Sequence, residues 1–210
     1  YLQVANASPR ARVLGVTATP SRLDGKGLGD LFDELLVGPS VQELTDAGYL
    51  APAVVYAPST IDTSNVRTIA GDWQKSQLSV AADRPTITGC AIEHYRRLAD
   101  GVPAIAFCVS VAHAQHVAAQ FRAAGYSARC VDGNTPQADR DGAISGLTRG
   151  TLVVLTSCEI ISDGVDVPVV GCGILLRPTK STAIALHQMG RILRPTPGKR
   201  EAVILDHAGN

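Results

Sequence analysis

From about residue 84 onward, short β-branched runs alternate with longer stretches of helical periodicity, and few folds other than a helix-covered parallel sheet accommodate that alternation. The runs are Ala104 to Val109, Ala128 to Val131, Leu152 to Thr156, Gly173 to Leu176 and Ala202 to Leu205. Helices fill the intervals. The first follows Asp83, carries Pro85 in its opening turn, places Ile87, Ala91, His94, Tyr95 and Leu98 at helical spacing, and stops at Gly101. The second starts at Ser110, a good N-cap, and sets Val111, Ala114, Val117, Ala118 and Phe121 on one face before Gly125. A third follows Thr135-Pro136 and ends near Gly150, and the last runs from about Ser181 to Arg194, closed by Pro195.

Residues 1–57 read differently. An apolar run from Arg12 to Val16, a turn-rich stretch and a second apolar run from Ala53 to Tyr56 are expected to be edge pieces of another sheet. Between them and the alternating part, residues 58–83 are rich in Ser, Thr, Asp and Gln with weak periodicity, and are expected to be a linker. The chain is thus expected to hold a strip of one domain over 1–57, the linker, and a second domain over 84–210, cut at both ends.

With 45% hydrophobic and 18% charged residues, the chain is not of a disordered or fibrous class. Nineteen basic residues balance nineteen acidic ones, so there is no global field of the kind that marks a polybasic nucleic-acid binder, although local basic patches remain open. No apolar run is long enough to span a bilayer, and no signal-type start is present, so the expected location is cytoplasmic, with no membrane partner. The five cysteines are widely spaced and never form CxxC, which argues against structural zinc. Cys108, Cys130 and Cys172 lie in or beside strand-like runs, where a thiol acts as a small hydrophobe. His113, His116 and His187 have no metal-binding spacing and are read as structural or solvated.

Three stretches could carry chemistry. In Gln188 to Arg194, helical spacing puts Ala185, Leu186, Met189, Ile192 and Leu193 on an apolar face and Gln188, Arg191 and Arg194 on the other. Two guanidiniums on one turn suit phosphate, which a planar fork bonds in bidentate fashion without losing its proton. The plain alternative is arginines favoured at a helix C-terminus by the macrodipole. Thr156 to Pro168 directly follows an apolar run, and in parallel sheets ligands sit beyond the carboxyl ends of strands. There Gly164 allows an unusual backbone and Asp166 offers an acceptor for a ribose hydroxyl or an arginine; taken singly, an acidic surface loop explains them as well. In Gly15 to Pro20, Thr17 and Thr19 close an apolar run, where hydroxyls often serve only a local turn.

Taken in order, these three stretches resemble motifs III, V and VI of superfamily 2 helicases. Ala106 to Ser110 and Val131 to Thr135 are similar to motif IV and the segment after it. The likeness covers nearly the whole chain and is closest to the DEAD/DEAH-like bacterial and phage DNA helicases of the DNA-repair and restriction type. It implies a RecA-like parallel sheet, the second helicase domain, with a C-terminal strip of the first. In that family two RecA-like domains grip ATP with magnesium between them. Carried over, Arg191 and Arg194 reach the ATP phosphates, Arg194 being the arginine finger, and Gln188 positions them. Gly164, Asp166 and Gly190 line the nucleotide side. Thr156, with Ser110 and Thr135, contacts the nucleic acid, which the likeness to DNA helicases makes DNA, and Thr17 and Thr19 couple the two sites.

Two parts of the family pattern do not occur. A phosphate loop needs Gly-x-x-x-x-Gly-Lys-Ser/Thr, and the nearest lookalike, Lys180-Ser181, has Thr179 where glycine belongs. The magnesium-binding Asp-Glu box should precede Thr17, whereas Asp33-Glu34 follows it. The chain starts just downstream of where both would lie, so the resemblance implies an enzymatic parent and a piece inactive alone. The principal alternative is a non-catalytic RecA-like module that binds nucleic acid or protein. An unrelated Rossmann-like enzyme lacks any Gly-x-Gly-x-x-Gly after a strand.

Overall fold

A computed structural model describes residue 7 and residues 11–17, 19–20, 27–29, 32–58, 61–158 and 167–210. In chain order the elements are α1 (Val41–Asp46), β1 (Ala53–Tyr56), β2 (Thr68–Ile69), β3 (Asp72–Trp73), α2 (Lys75–Ala82), α3 (Pro85–Leu98) and β4 (Ala104–Phe107). They continue with α4 (Val111–Ala123), β5 (Ala128–Val131), α5 (Gln137–Arg149), β6 (Val154–Ser157), β7 (Cys172–Leu175), α6 (Thr182–Ile192) and β8 (Ala202–Asp206).

Six strands form one parallel sheet in the order β1-β8-β7-β4-β6-β5. The period of two along β4 assigns its faces. Ala104 and Ala106 pack with Leu78, Ile87, Tyr95 and Phe121 under α2, α3 and α4. Ile105 and Phe107 pack with Ala143, Leu147 and Ile192 under α5 and α6. All four β4 residues are buried, as a central strand covered on both faces requires. Each large side chain removed from water in this way contributes about 1.5–3 kcal/mol. The helix signals act where they stand in sequence. Pro85 opens α3, the Ser110 hydroxyl accepts the His113 N–H at 3.2 Å to cap α4, and Gly150, at φ 73°, closes α5 in the left-handed conformation.

Two expectations are corrected here. Ala53 to Tyr56 belongs to the same sheet as the rest, pairing with β8 from Ala53 opposite Ala202 to Tyr56 opposite Leu205. The stretch read as a linker contains the β2–β3 hairpin and α2, and it buries Ile61, Val66, Leu78 and Ala82 in the core. Asp72 docks the hairpin on the loop before α6: its carboxylate accepts the Thr179 hydroxyl at 2.9 Å and the Lys180 N–H at 2.8 Å.

Candidate functional site

The parallel topology sorts the sequence-predicted residues to two edges of the sheet. Loops leaving β4 and β5 lie at the carboxyl edge and hold Ser110 and Thr135, and Thr156 stands near the carboxyl end of β6. Helix α6 returns from β7 to β8, so its last turn arrives at the opposite edge, where the Leu193 carbonyl accepts the Ala51 N–H at 2.7 Å just before β1 begins. Arg191 and Arg194 therefore sit at the amino edge, both half-buried.

Helix α6 can lie close to the sheet because β7 has no side chain at Gly173. A β carbon there would stand 2.8 Å from Ile192 Cγ1, closer than packing permits. Ile192 in turn is fully buried and anchors the last turn. In the last turn of the same helix, Gly190 is different: among the described residues a β carbon would meet nothing within 4 Å.

Gln188 requires correction. It is 3% exposed, on the buried stripe with Ala185 and Ile192, while Leu186, assigned to the apolar face, is 42% exposed. Gln188 lies three residues after Ala185 and four before Ile192, so helical geometry places the three together regardless of polarity. Its Oε1 has no hydrogen-bond partner among the described residues. The amide therefore belongs to the buried side of α6, one turn before half-buried Arg191.

The hydroxyls at the carboxyl edge are already engaged. Thr156 is fully buried and donates to the Ala114 carbonyl at 2.7 Å, joining β6 to α4, so its side chain is a structural tie with no surface for a strand contact. Ser110 caps α4 and shares a 2.7 Å hydrogen bond with Ser79. Thr135 accepts the Asp132 N–H at 2.9 Å and donates to the Asp132 carboxylate at 3.2 Å, shaping the loop between β5 and α5. Thr17 and Thr19 bond to each other in a local turn, the Thr17 hydroxyl accepting the Thr19 N–H and donating to its carbonyl, each at 3.1 Å. Gly164 and Asp166 lie outside the described residues.

The histidines and cysteines behave as packing and surface groups. His113 is fully buried with its pKa lowered by desolvation, and exposed His116 pairs with Asp83 at 2.8 Å. Cys108 and Cys172 are buried free thiols, and burial pushes Cys172 up to about 12. Among the described residues no group of three or more His, Cys, Asp or Glu could hold a metal, and no helix is long and apolar enough to cross a membrane.

One residue at the amino edge escaped the sequence reading. The Lys199 ammonium donates to the carbonyls of Ile192 at 2.5 Å, Arg194 at 2.8 Å and Val170 at 2.7 Å. A cation just past a helix C-terminus, following the Pro197-Gly198 turn, is the signal that could have found it.

Comparison with known proteins gives these features a family. The model of the helicase conserved C-terminal domain matches residues 90–196. A 51.5 kDa protein of a Lactococcus phage is 36% identical over 197 residues, covering 94% of this chain and 43% of the phage protein. IRC3 of Saccharomyces cerevisiae, whose name designates an ATP-dependent helicase, is 28% identical over 213 residues, covering all of this chain and 31% of IRC3. The chain thus spans less than half the length of these curated relatives. Among solved structures, a fragment described as an HsdR subunit of a type I restriction enzyme from Vibrio vulnificus aligns over 92% of this chain and 39% of its own. Its TM-score is 0.71 at 22% identity, a likeness of fold.

Proposed function

Since this chain belongs to the helicase conserved C-terminal domain family and has the parallel α/β fold of superfamily 2 helicase C-terminal parts, we propose that it is the second motor half of an ATP-driven DNA helicase or translocase. Residues before β1 belong, on this reading, to a strip of the first RecA-like domain, and the nucleotide is gripped between that domain and the amino edge of the sheet described here. Arg194 is the arginine finger and Arg191 its companion.

The observation that carries the reading is the pairing of Gly190 with the arginines. Glycine inside a helix costs about 1 kcal/mol relative to alanine. Among the described residues nothing requires it at position 190, where a β carbon would meet no atom within 4 Å. The smooth surface beside Arg191 is kept for a body that approaches from outside. Two guanidiniums three residues apart, Arg191 in the last turn of α6 and Arg194 just past its end, suit a phosphate chain, and a cationic donor set of this kind fits phosphate oxygens and not a metal ion. Magnesium ligands are accordingly assigned to the first domain. Bound ATP supplies the phosphoryl group whose transfer to water drives the cycle. The chain's own residues contribute charge: Arg194 stabilises negative charge developing on that group, and its approach depends on closure of the two domains.

At the carboxyl edge, the loops holding Ser110 and Thr135 are assigned to the strand backbone, through contacts that carry no sequence information. Gly164 and Asp166 keep their assignment to the nucleotide side. Helix α6, which runs from the carboxyl edge to the amino edge, is the mechanical link between them.

The deciding experiment measures DNA-stimulated ATP hydrolysis by the chain extended upstream to restore the first domain, wild type against Arg194→Ala. The substitution should lower turnover by about 10³-fold or more and leave strand binding nearly intact. If neither protein hydrolyses ATP yet both bind nucleic acid, the chain is a binding module. A separate assay of residues 1–210 should show no hydrolysis; sustained turnover by that piece would overturn the division of labour.

A further inference from the structure

The end of α6 is held from two directions. A helix leaves its last carbonyls without intrahelical partners, yet the three successive carbonyls of Ile192, Leu193 and Arg194 all accept hydrogen bonds here. Lys199 serves the first and third, and the Ala51 N–H serves the second at 2.7 Å. The remaining bond of the ammonium goes to Val170, the fully buried residue before β7. An ammonium has three N–H donors, so each is committed and the group is fixed in direction.

This is more than an ordinary helix cap. A lysine past a helix end usually keeps its head in water and contributes a few tenths of a kcal/mol to about 1 kcal/mol. Lys199 is half-buried, and desolvation pulls its amine down to about 8. Three carbonyl oxygens oppose that pull by favouring the charged form. One of them belongs to a different element, so the lysine joins two parts of the fold instead of finishing one.

We propose that Lys199 is the positioning residue for Arg194: with the Ala51 N–H, it ties the last turn of α6 to the connection entering β7 and to the chain entering β1. Arg194 is presented from the end of that tied turn. Displacement of either attached segment is transmitted to its guanidinium, which makes Lys199 part of the coupling between the chain arriving from residue 50 and the reach of the finger. The inference rests on the reading of Arg194 as a phosphate ligand.

The test uses the full chain with its first domain, comparing wild type, Lys199→Met, Arg194→Ala and the double variant. Methionine keeps the stem and removes all three donors. Lys199→Met should lower DNA-stimulated turnover by about 10²-fold, the scale of a small misplacement of a reacting group, while KM for ATP changes less than about threefold. In the Arg194→Ala background the same substitution should add almost nothing, because it acts through the finger. A purely structural role would instead multiply the two losses, and that result overturns the proposal. Full activity of Lys199→Met beside a dead Arg194→Ala overturns it too, while sparing the arginine-finger reading. An unaffected Arg194→Ala shows that the underlying reading has failed.

A second readout needs no hydrolysis. Amide hydrogen exchange over residues 189–196 should accelerate at least tenfold in Lys199→Met while β4 and β6 keep wild-type protection. Unchanged exchange there overturns the proposal even if the parent hydrolyses nothing. Should Lys199→Met fail to fold, Lys199→Gln, which retains two N–H donors without charge, is read by the same criteria.

Discussion

Helices α1 and α6 both have well-tied ends, but the ties come from opposite sources. In α1 they are local. Ser40 and Glu43 form a complete capping box, Ser40 accepting the Glu43 N–H at 3.2 Å while the Glu43 carboxylate accepts the Ser40 N–H at 2.7 Å, yet the helix buries no residue. In α6 the C-terminal ties are distant: Ala51, Lys199, the Val170 carbonyl and the gap left by Gly173. Capping determines where a helix begins, whereas only packing determines where it sits. The same contrast extends to the residues before β1, where Leu14, Val16, Leu36 and Val37 are each at least 80% exposed. An apolar run there is a demand for cover from another body, and in the sheet that demand is met by the helices.

The comparison can be broken most forcefully at Ile192. Replacing this fully buried anchor with alanine should destabilise the chain by about 2–5 kcal/mol, measured by urea unfolding. A loss below about 1 kcal/mol would mean that α6 is as loosely seated as α1.

Gly173→Ala comes next. The added methyl meets Ile192 Cγ1 at 2.8 Å and should cost about 1–3 kcal/mol. Combined with Ile192→Ala it should cost less than the two separate losses added together, since alanine at 192 vacates the space. Strict additivity would show that α6 does not rest on β7 at this point.

Gln188→Leu should act in the other direction. Removing a buried amide whose Oε1 has no partner among the described residues, at nearly constant volume, should raise stability by about 1 kcal/mol. A loss of stability would reveal that bonds of the amide outweigh the desolvation of its oxygen.

Gln188 also shows where sequence reading fails. Its spacing from Ala185 and Ile192 indicated the core, its polarity indicated solvent, and spacing prevailed because backbone geometry places a side chain before its chemistry is consulted. The strands from β4 to β8 and the ends of α3, α4 and α5 were legible, since each rests on local periodicity and a cap such as Pro85, Ser110 or Gly150. The sheet to which β1 belongs is not legible, because its partner β8 lies well over half the chain away and parallel pairing leaves no local mark. Helix α2 was read as linker because only Leu78 and Ala82 of its eight residues are buried, too few to set up a visible period. The spacing of Arg191 and Arg194 is visible in the sequence, and so is a lysine just past a helix end, but the carbonyls that Lys199 joins are not, because backbone is the same at every position.

Ser40→Ala carries the smallest expected effect and bears most directly on α1. Loss of an N-cap costs a helix about 1 kcal/mol, but that loss reaches global stability only if the helix unfolds together with the core. Helix α1 buries nothing, so its opening should be local. Urea unfolding of Ser40→Ala should therefore fall within about 0.5 kcal/mol of wild type, while amide exchange over residues 41–47 accelerates several-fold. In the chain extended upstream, a larger global loss from the same substitution would show that the exposed apolar surface before β1 has found its cover, and that the helix has become part of the cooperative unit that α6 occupies here.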